Sequence, residues 1–281
     1  MSTTLNQAFI SQFEAEVKQA YQGMAKLGGT CRTRNNVVGS TIRFPKMGKG
    51  LAQPRVPQTD VTPMNVTHSN VTATLADWAA PEYTDIFDQQ KVNFDEKREL
   101  VHVVAGALGR RLDQIQLNAI TLPGTNTVVK TLGGVDAFNL AKIRRAKKIM
   151  DANGVPSSNR HFAVSAAAME QLLGQTAATS SDFQTVKALV DGQINSMCGF
   201  VFHMIEDRVE GGLELAGNDR TLLAWHKDAV GLGIGINIST EINYIPEKTS
   251  WLITGKLSAG AIAIDPDGIV EVAIDETVVV A

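Results

Sequence analysis

The chain has 281 residues, 44% of them hydrophobic, and a formal net charge of −3, enough apolar content for a substantial core in one large domain or two smaller ones. That charge does not make wrapping by nucleic acid the default expectation. The opening MSTTLNQAFISQFEAE lacks the apolar core of a signal peptide, no window approaches the roughly 18 apolar residues of a membrane span, and Cys31 and Cys198 form no CxxC pair. A soluble protein made in a reducing compartment is expected, with no membrane partner, zinc site or disulfide framework.

In chain order, Leu5, Phe9, Phe13, Val17, Tyr21 and Met24 recur at helical steps and predict a helix with one narrow apolar stripe, ended by Gly28-Gly29. Such a helix must lie on its own core or on a neighbouring subunit. From Gly39 to Lys91 the chain holds Pro45, Pro54, Pro57, Pro63 and Pro81, and no helical period survives. The alternating pieces STIRF and NVTHSNVTATL read as the arms of a long irregular hairpin. Each arm of roughly 20 residues could reach about 60 Å when extended. A projecting arm of that kind needs another molecule to rest upon.

A long helix is predicted from Phe94 to about Ile120, with Asn93 as N-cap, Glu96 at capping-box spacing and a stripe of Leu100, Val104, Leu108, Leu112, Ile115 and Ala119. At roughly 40 Å it would act as a structural spine. A second amphipathic helix, Ala137–Ala152, carries Lys142, Arg144, Arg145, Lys147 and Lys148 and stops at Gly154 and Pro156. That cluster could face a phosphate backbone, but a solvated helix face is the reading preferred. RHFAVS is a strand, AAAMEQLL a short helix opened by Ser165, SDFQTVKALVDGQI helical and loop-like, and GFVFHMIED a strand. In GLGIGINIS, three alternate glycines hint at a phosphate loop, yet no helix follows. Leu232, Ile234, Ile236, Ile238, Ile242 and Tyr244 instead continue at period two, so the segment reads as a long strand whose glycines admit another backbone. TSWLITGKLSAGAIAI follows, and Asp265-Pro266-Asp267-Gly268 reads as a hairpin turn into IVEVAI.

No catalytic constellation emerges. The histidines at 68, 102, 161, 203 and 226 lack zinc-site spacing, no G-x-S-x-G frames a serine, and Asp265-x-Asp267-Gly268 lacks the other ligands of a calcium loop. Glu206 and Asp207 are adjacent on a strand end and point to opposite sides. No catalytic, cofactor-binding or metal residue is assigned, and no cofactor is expected.

The element order resembles the major capsid proteins of tailed bacteriophages, especially the podophage-like branch, which share the Hong Kong 97 type fold. The residues that carry it are LNQAFISQFEAEVKQAYQ, the GSTIRFPKMG element, VNFDEKRELVHVVAGALGRRLDQIQLNAI, AKKIMDANGVPSSNRHFAVSAAAMEQLL, GFVFHMIED and LLAWHKDAVGLGIGINIS. The resemblance implies an α+β capsid fold divided into an N-terminal arm (1–39), an extended loop (40–92), a peripheral domain with the spine helix (93–155), an axial domain (156–221) and returning peripheral strands (222–281). It further implies a non-enzymatic subunit that assembles with itself as hexamers and pentamers into an icosahedral shell around double-stranded DNA, in the virion, after assembly in the host cytoplasm. A separate scaffolding protein or none is implied, with a portal and a decoration protein as the other partners. Phe9, Phe13, Val17, Phe44, Pro45 and Trp78 are expected at contacts between subunits. In some members a loop lysine forms a covalent link to a neighbour, and Lys46 and Lys49 lie in that region. The alternatives are an encapsulin-type bacterial shell and a cytoplasmic nucleotide-dependent enzyme using GLGIGI.

Overall fold

The computed structural model describes residues 23–61, 63–89, 95–121, 126–175 and 195–278. The apolar stripe expected from Leu5 to Tyr21 and the SDFQTVKALVDGQI stretch lie outside the described residues. The chain runs through β1 (Arg32–Arg34), β2 (Thr41–Met47), β3 (His68–Thr74), β4 (Ala76–Asp85), α1 (Ile86–Gln89), α2 (Glu96–Ile120), β5 (Thr127–Val128) and α3 (Leu140–Ala152). It continues through β6 (Arg160–Ser165), α4 (Ala166–Leu173), β7 (Ser196–Met197), β8 (Phe200–Ile205), β9 (Leu215–Ala216), β10 (Asp219–His226), β11 (Val230–Ile245), β12 (Ser250–Ala263) and β13 (Ile269–Asp275).

Two sheets organise these elements. The first has the order β1-β11-β12-β4 and is built on the long antiparallel pair β11–β12. Pro246, which has no N–H for the ladder, ends β11 at the turn Pro246–Lys248. Helix α2 crosses one face of this sheet, burying Leu108 against Leu257 and Ala259 with Trp78 and Ile115 alongside. Close approach is possible because β12 offers Gly255 there: a Cβ on it would stand 2.4 Å from Val104 Cγ1 and 2.7 Å from Leu108 Cδ1. The helix ends at Ile120 as its periodicity predicts, but its N-cap is Asp95, whose carboxylate accepts from the Arg98 N–H, rather than Asn93.

The other face receives the hairpin. β2 and β3 pair antiparallel from Thr41 opposite Thr74 to Met47 opposite His68, so the two alternating pieces are its arms as expected. Ile42, Phe44 and Ala73 are buried where the hairpin crosses β11 and β12, with Val37, Leu75 and Ile264 around them. The glycines of GLGIG make the seat. A Cβ on Gly231 would fall 2.7 Å from the Phe44 ring, one on Gly233 2.8 Å from Ile42, and one on Gly260 2.1 Å from the Thr74 carbonyl oxygen. The segment that resembles a phosphate loop is therefore a bare strip of sheet, filled by this chain's own hairpin.

The period-two reading of β11 needs one correction. Register shifts fall between Ile234 and Ile236 and again between Ile236 and Ser239. Each β-bulge inserts a residue and swaps the face of the residues after it, so two restore the original parity. Leu232 and Ile234 are buried and Ile238 packs beside α2, whereas Ile236, caught between the bulges opposite Ser258, is 52% exposed.

The second sheet has the order β5-β13-β10-β6-β8-β7, with β9 on β10. α3 packs against β13 and β5, and α4 against β6 and β8, over a core that includes Phe138, Ile143, Met150, Phe162, Phe200 and Leu222. α4 starts at the predicted cap, Ser165, whose hydroxyl accepts from the Ala168 N–H. α3 starts later than expected, at Leu140, because Asn139 caps it by accepting from the Lys142 N–H. Lys142 does not join the basic face: it is buried, donates to the carbonyls of Asp136 and Ala137, and burial pulls its amine down to about 8. Arg144, Arg145 and Lys148 are solvated.

The Asp265–Gly268 segment is a turn, as expected, but it does not close a hairpin. β12 belongs to the first sheet, whereas β13 pairs with β10 and β5 in the second, so the turn carries the chain between sheets. The opposite crossing, from β10 to β11 at Lys227–Ala229, lies beside it, and the Ala229 carbonyl accepts from both Ile264 and Asp265 N–H. The expected domain boundaries at 155/156 and 221/222 consequently do not separate the sheets. α3 lies on the second sheet, the latter boundary falls inside β10, and β13 returns to the same sheet.

Gly260→Val is expected to destabilise the fold by roughly 2 kcal/mol or more, since neither the Thr74 backbone nor β12 can retreat. Urea denaturation measures the loss, and hydrogen exchange should locate faster opening in Thr41–Thr74. Unchanged exchange there would contradict the seat.

Candidate assembly interface

The hairpin is anchored at its base and unsupported beyond it. Lys46 Nζ reaches Asp265 at 2.9 Å, and Lys49 lies 3.7 Å from Asp267 and donates to the Asn153 carbonyl at 3.4 Å. Both loop lysines are thus engaged by the crossing turn of their own chain. Past the Gly48 N–H to Thr67 carbonyl bond the chain has little cover, and Leu51 and Val61 are 83% and 80% exposed, with Met47, Val56 and Met64 exposed beside them. Apolar side chains grouped on one protruding segment mark an interaction surface.

The expected contact residues are distributed unevenly. Phe9, Phe13 and Val17 lie outside the described residues. Phe44 is 1% exposed, covered by Gly231 and its neighbours within its own chain, so its ring is spent internally and is not available to another subunit. Pro45, next along the strand, is exposed. Trp78, on β4, is half-buried against α2, with the Arg111 guanidinium 4.1 Å above its ring and its indole N–H without a partner among the described residues. Arg111 is in turn paired with Glu210 at 2.5 Å.

A buried carboxylate that sequence reasoning missed fixes where the N-terminal segment enters. Asp113, fully buried on α2, accepts from the N–H groups of Lys26 and Leu27 and from Arg208 at 2.8 Å. Arg208 also donates to the carbonyls of Met24 and Gly211. One charge thereby ties the entering segment, the spine and the 206–211 turn together. The sequence offers no sign of this role, because Asp113 lies off the apolar stripe and its partners are 87 and 95 residues away.

A parallel device holds the C-terminal end. Arg220 binds Glu276 twice at 2.9 Å and Asp207 at 2.5 Å, and Ser165 donates to Glu276 at 2.5 Å. Glu276 is held below the usual carboxylate range by these donors even though burial opposes it. Asp207 and Glu206 point apart, as expected, Glu206 turning to Lys26 and Arg208. Beneath the entering segment, His161 Nδ1 and His203 Nε2 lie 3.0 Å apart in one hydrogen bond, beside Trp225, whose indole N–H donates to the Thr30 carbonyl. Burial, reinforced by the neighbouring histidine, pulls His161 down to about 4, and burial lowers His203 as well.

This arrangement holds a chain in place and offers little to a reaction. The Cys31 thiol is pushed up to about 12 by burial, which leaves it unreactive. Among the described residues no three metal-ligating side chains converge, and no helix is long and apolar enough to cross a membrane. The groove between α2 and residues 207–215 is lined by Arg208 and Arg220, both already bound to carboxylates.

The architecture, a spine helix over a sheet that seats a hairpin, is that of the Hong Kong 97 type capsid fold. The family model described as "Phage capsid protein" matches residues 5–276, and the chain belongs to that family. Its structure is similar to the capsid of Cyanophage P-SCSP1u (TM-score 0.76, 16% identity, covering 97% of this chain and 94% of that one). It is likewise similar to the head of Helicobacter pylori bacteriophage KHP40 (TM-score 0.76, 10% identity, 98% and 97%). The structure recorded for Mycobacterium phage Ogopogo is a third (TM-score 0.71, 16% identity, 98% and 99%). Among curated proteins no sequence matches significantly. As a capsid protein the chain is structural and not an enzyme, and it is a virion component.

Asp113→Ala should cost about 1–3 kcal/mol in denaturant unfolding, because the Lys26 and Leu27 N–H groups lose their acceptor and Arg208 keeps only Glu206 as an ion-pair partner among the described residues. Acid should also weaken the fold through the histidines. The unfolded chain protonates His161 near 6.5 while the fold keeps it neutral to about 4. Stability therefore falls as pH drops through that window, by at most about 1.4 kcal/mol per pH unit and less for solvent reaching the half-buried ring. His161→Gln should flatten the slope of urea midpoints between those pH values.

Proposed function

We propose that this chain is the major capsid subunit of a tailed bacteriophage, closing as hexamers and pentamers into an icosahedral shell around double-stranded DNA without reading its sequence. The observation that carries the reading is the hairpin. Its base is buried on its own glycine strip, while Met47, Leu51, Val56, Val61 and Met64 stand in solvent on a segment that its own fold does not cover. Laid across an adjacent copy, that segment gains the cover it lacks, and the same contact repeated by symmetry yields a closed assembly. Pro45 at the hairpin's outer face and the half-buried Trp78 are the candidate contacts among the described residues, joined by the Phe9, Phe13 and Val17 stripe of the N-terminal arm. Assembly would take place in the host cytoplasm, with a separate scaffolding protein, a portal and a decoration protein as partners.

Negative-stain microscopy and size-exclusion chromatography of the purified chain test this reading. Closed shells, or rings of five and six, are expected. A stable 30.2 kDa monomer whose melting temperature rises with nucleotides would overturn it. Replacing Leu51, Val56 and Val61 together by aspartate should leave the melting transition within a few degrees and abolish shells, since those side chains contribute little to the fold they leave.

A further inference from the structure

Charge is distributed along the chain in blocks. From Gly23 to Thr59 there are seven lysines and arginines and no acidic residue, whereas from Asp60 to Gln90 there are five acidic residues and no lysine or arginine. The fold sends these blocks to opposite ends of one sheet. β1, with Arg32 and Arg34, is the outer strand on one side, and β4, with Asp77, Glu82 and Asp85, is the outer strand on the other.

The faces also correspond. Arg32 and Arg34 stand opposite Gly231 and Gly233, and so lie on the face that seats the hairpin. Asp77 and Asp85 stand opposite Ser258 and Ser250, in step with Gly260, which puts them on that same face, while Glu82 lies on the helix side. Both arginines are exposed, and neither they nor Asp77 and Glu82 form an ion pair among the described residues. Asp85 caps only the Phe87 N–H. The lysines of the basic block are mostly engaged, Lys26 by Glu206, Lys46 by Asp265 and Lys49 by Asp267. The charge left unspent is thus concentrated at the sheet edge and on the outward side of the hairpin.

We infer that these two edges are the two halves of one contact between successive copies of the chain, the β1 edge of each facing the β4 edge of the next. A sheet that is basic along one border and acidic along the other cannot satisfy itself within one subunit, because the borders are separated by β11 and β12. A translated or rotated copy, brought up without turning the sheet over, places Arg32 and Arg34, level with Ile262 and Gly260, nearest Asp77 on the shared face, while Asp85, about 27 Å further along β4, adds to the acidic field of that border. Such a head-to-tail contact uses two different surfaces and closes into a ring, unlike a two-fold contact, which would set like charges together. Exposed ion pairs add little affinity each. Their effect is on encounter and on rejecting the wrong orientation, where like charges repel.

The inference rests on self-assembly as proposed above, and charge reversal separates the two. Arg32→Glu with Arg34→Glu makes both borders acidic, and Asp77→Arg with Asp85→Arg makes both basic. Each pair alone should lose rings and shells in microscopy with the melting transition within a few degrees of the parent's, the exposed Asp85 cap on Phe87 N–H being the only side-chain hydrogen bond given up among the described residues. All four substitutions in one chain restore opposite borders with the polarity reversed, and should recover shells that exclude the parent chain on mixing. Shells from either reversed pair alone would overturn the edge contact and leave self-assembly standing. Loss in both pairs without recovery in the fourfold variant would equally overturn it, since the borders would then face something other than each other. Failure of the unaltered chain to form any assembly would remove the proposed function itself.

Discussion

The bare strip on β11 and β12 is the constraint on which the rest of the molecule depends. Two layers of backbone can approach only where side chains are missing, and Gly231, Gly233, Gly235 and Gly260 clear that space. Phe44 and Ile42 then fill it, fixing the hairpin's base in one register. With the base fixed, the outer part of the hairpin is left with its apolar side chains in solvent. Helix α2 uses the same device on the reverse side at Gly255. The first sheet is accordingly a thin board, close-packed above and below.

Much of this is legible in the sequence because period and punctuation are local. The β2–β3 arms, the end of α2 at Ile120, the Ser165 cap and the break at Pro246 are set by residues within a turn or two. The expectations that fail have a common origin in long-range pairing. Nothing in Asp265–Gly268 says that β13 will join β10 and not β12, and nothing near Ala137 says that the Lys142 amine will bind the carbonyls of Asp136 and Ala137. Paired bulges around Ile236 leave no mark on the pattern because they cancel, keeping the alternation intact on either side. The resemblance places Phe44 at a contact between subunits, and nothing in the residues around it says that it will be covered within its own chain. Its cover comes from a strand nearly 190 residues later.

The interface is less legible than the fold, and for a physical reason. Contacts within the body are made by buried, fully partnered groups such as Asp113 with Arg208 and Glu276 with Arg220. A surface meant for another copy shows itself only as residues left unsatisfied, and that status is known only after the body's own pairings are assigned. Family membership supplies the function, while the solvent-exposed Leu51, Val56 and Val61 of the hairpin are the motive for association in the reading proposed above.

Order of synthesis gives the glycine strip one more consequence. β1 and β2 leave the ribosome early, yet their seats on β11 and β12 are encoded some two hundred residues later. Contacts that distant in sequence form late and slowly. A nascent or truncated chain without β11 and β12 therefore cannot seat its hairpin, and only a finished polypeptide holds it in one geometry. In the assembly proposed above, competence to polymerise is in this way tied to completion of translation, and incomplete subunits are kept out of the lattice.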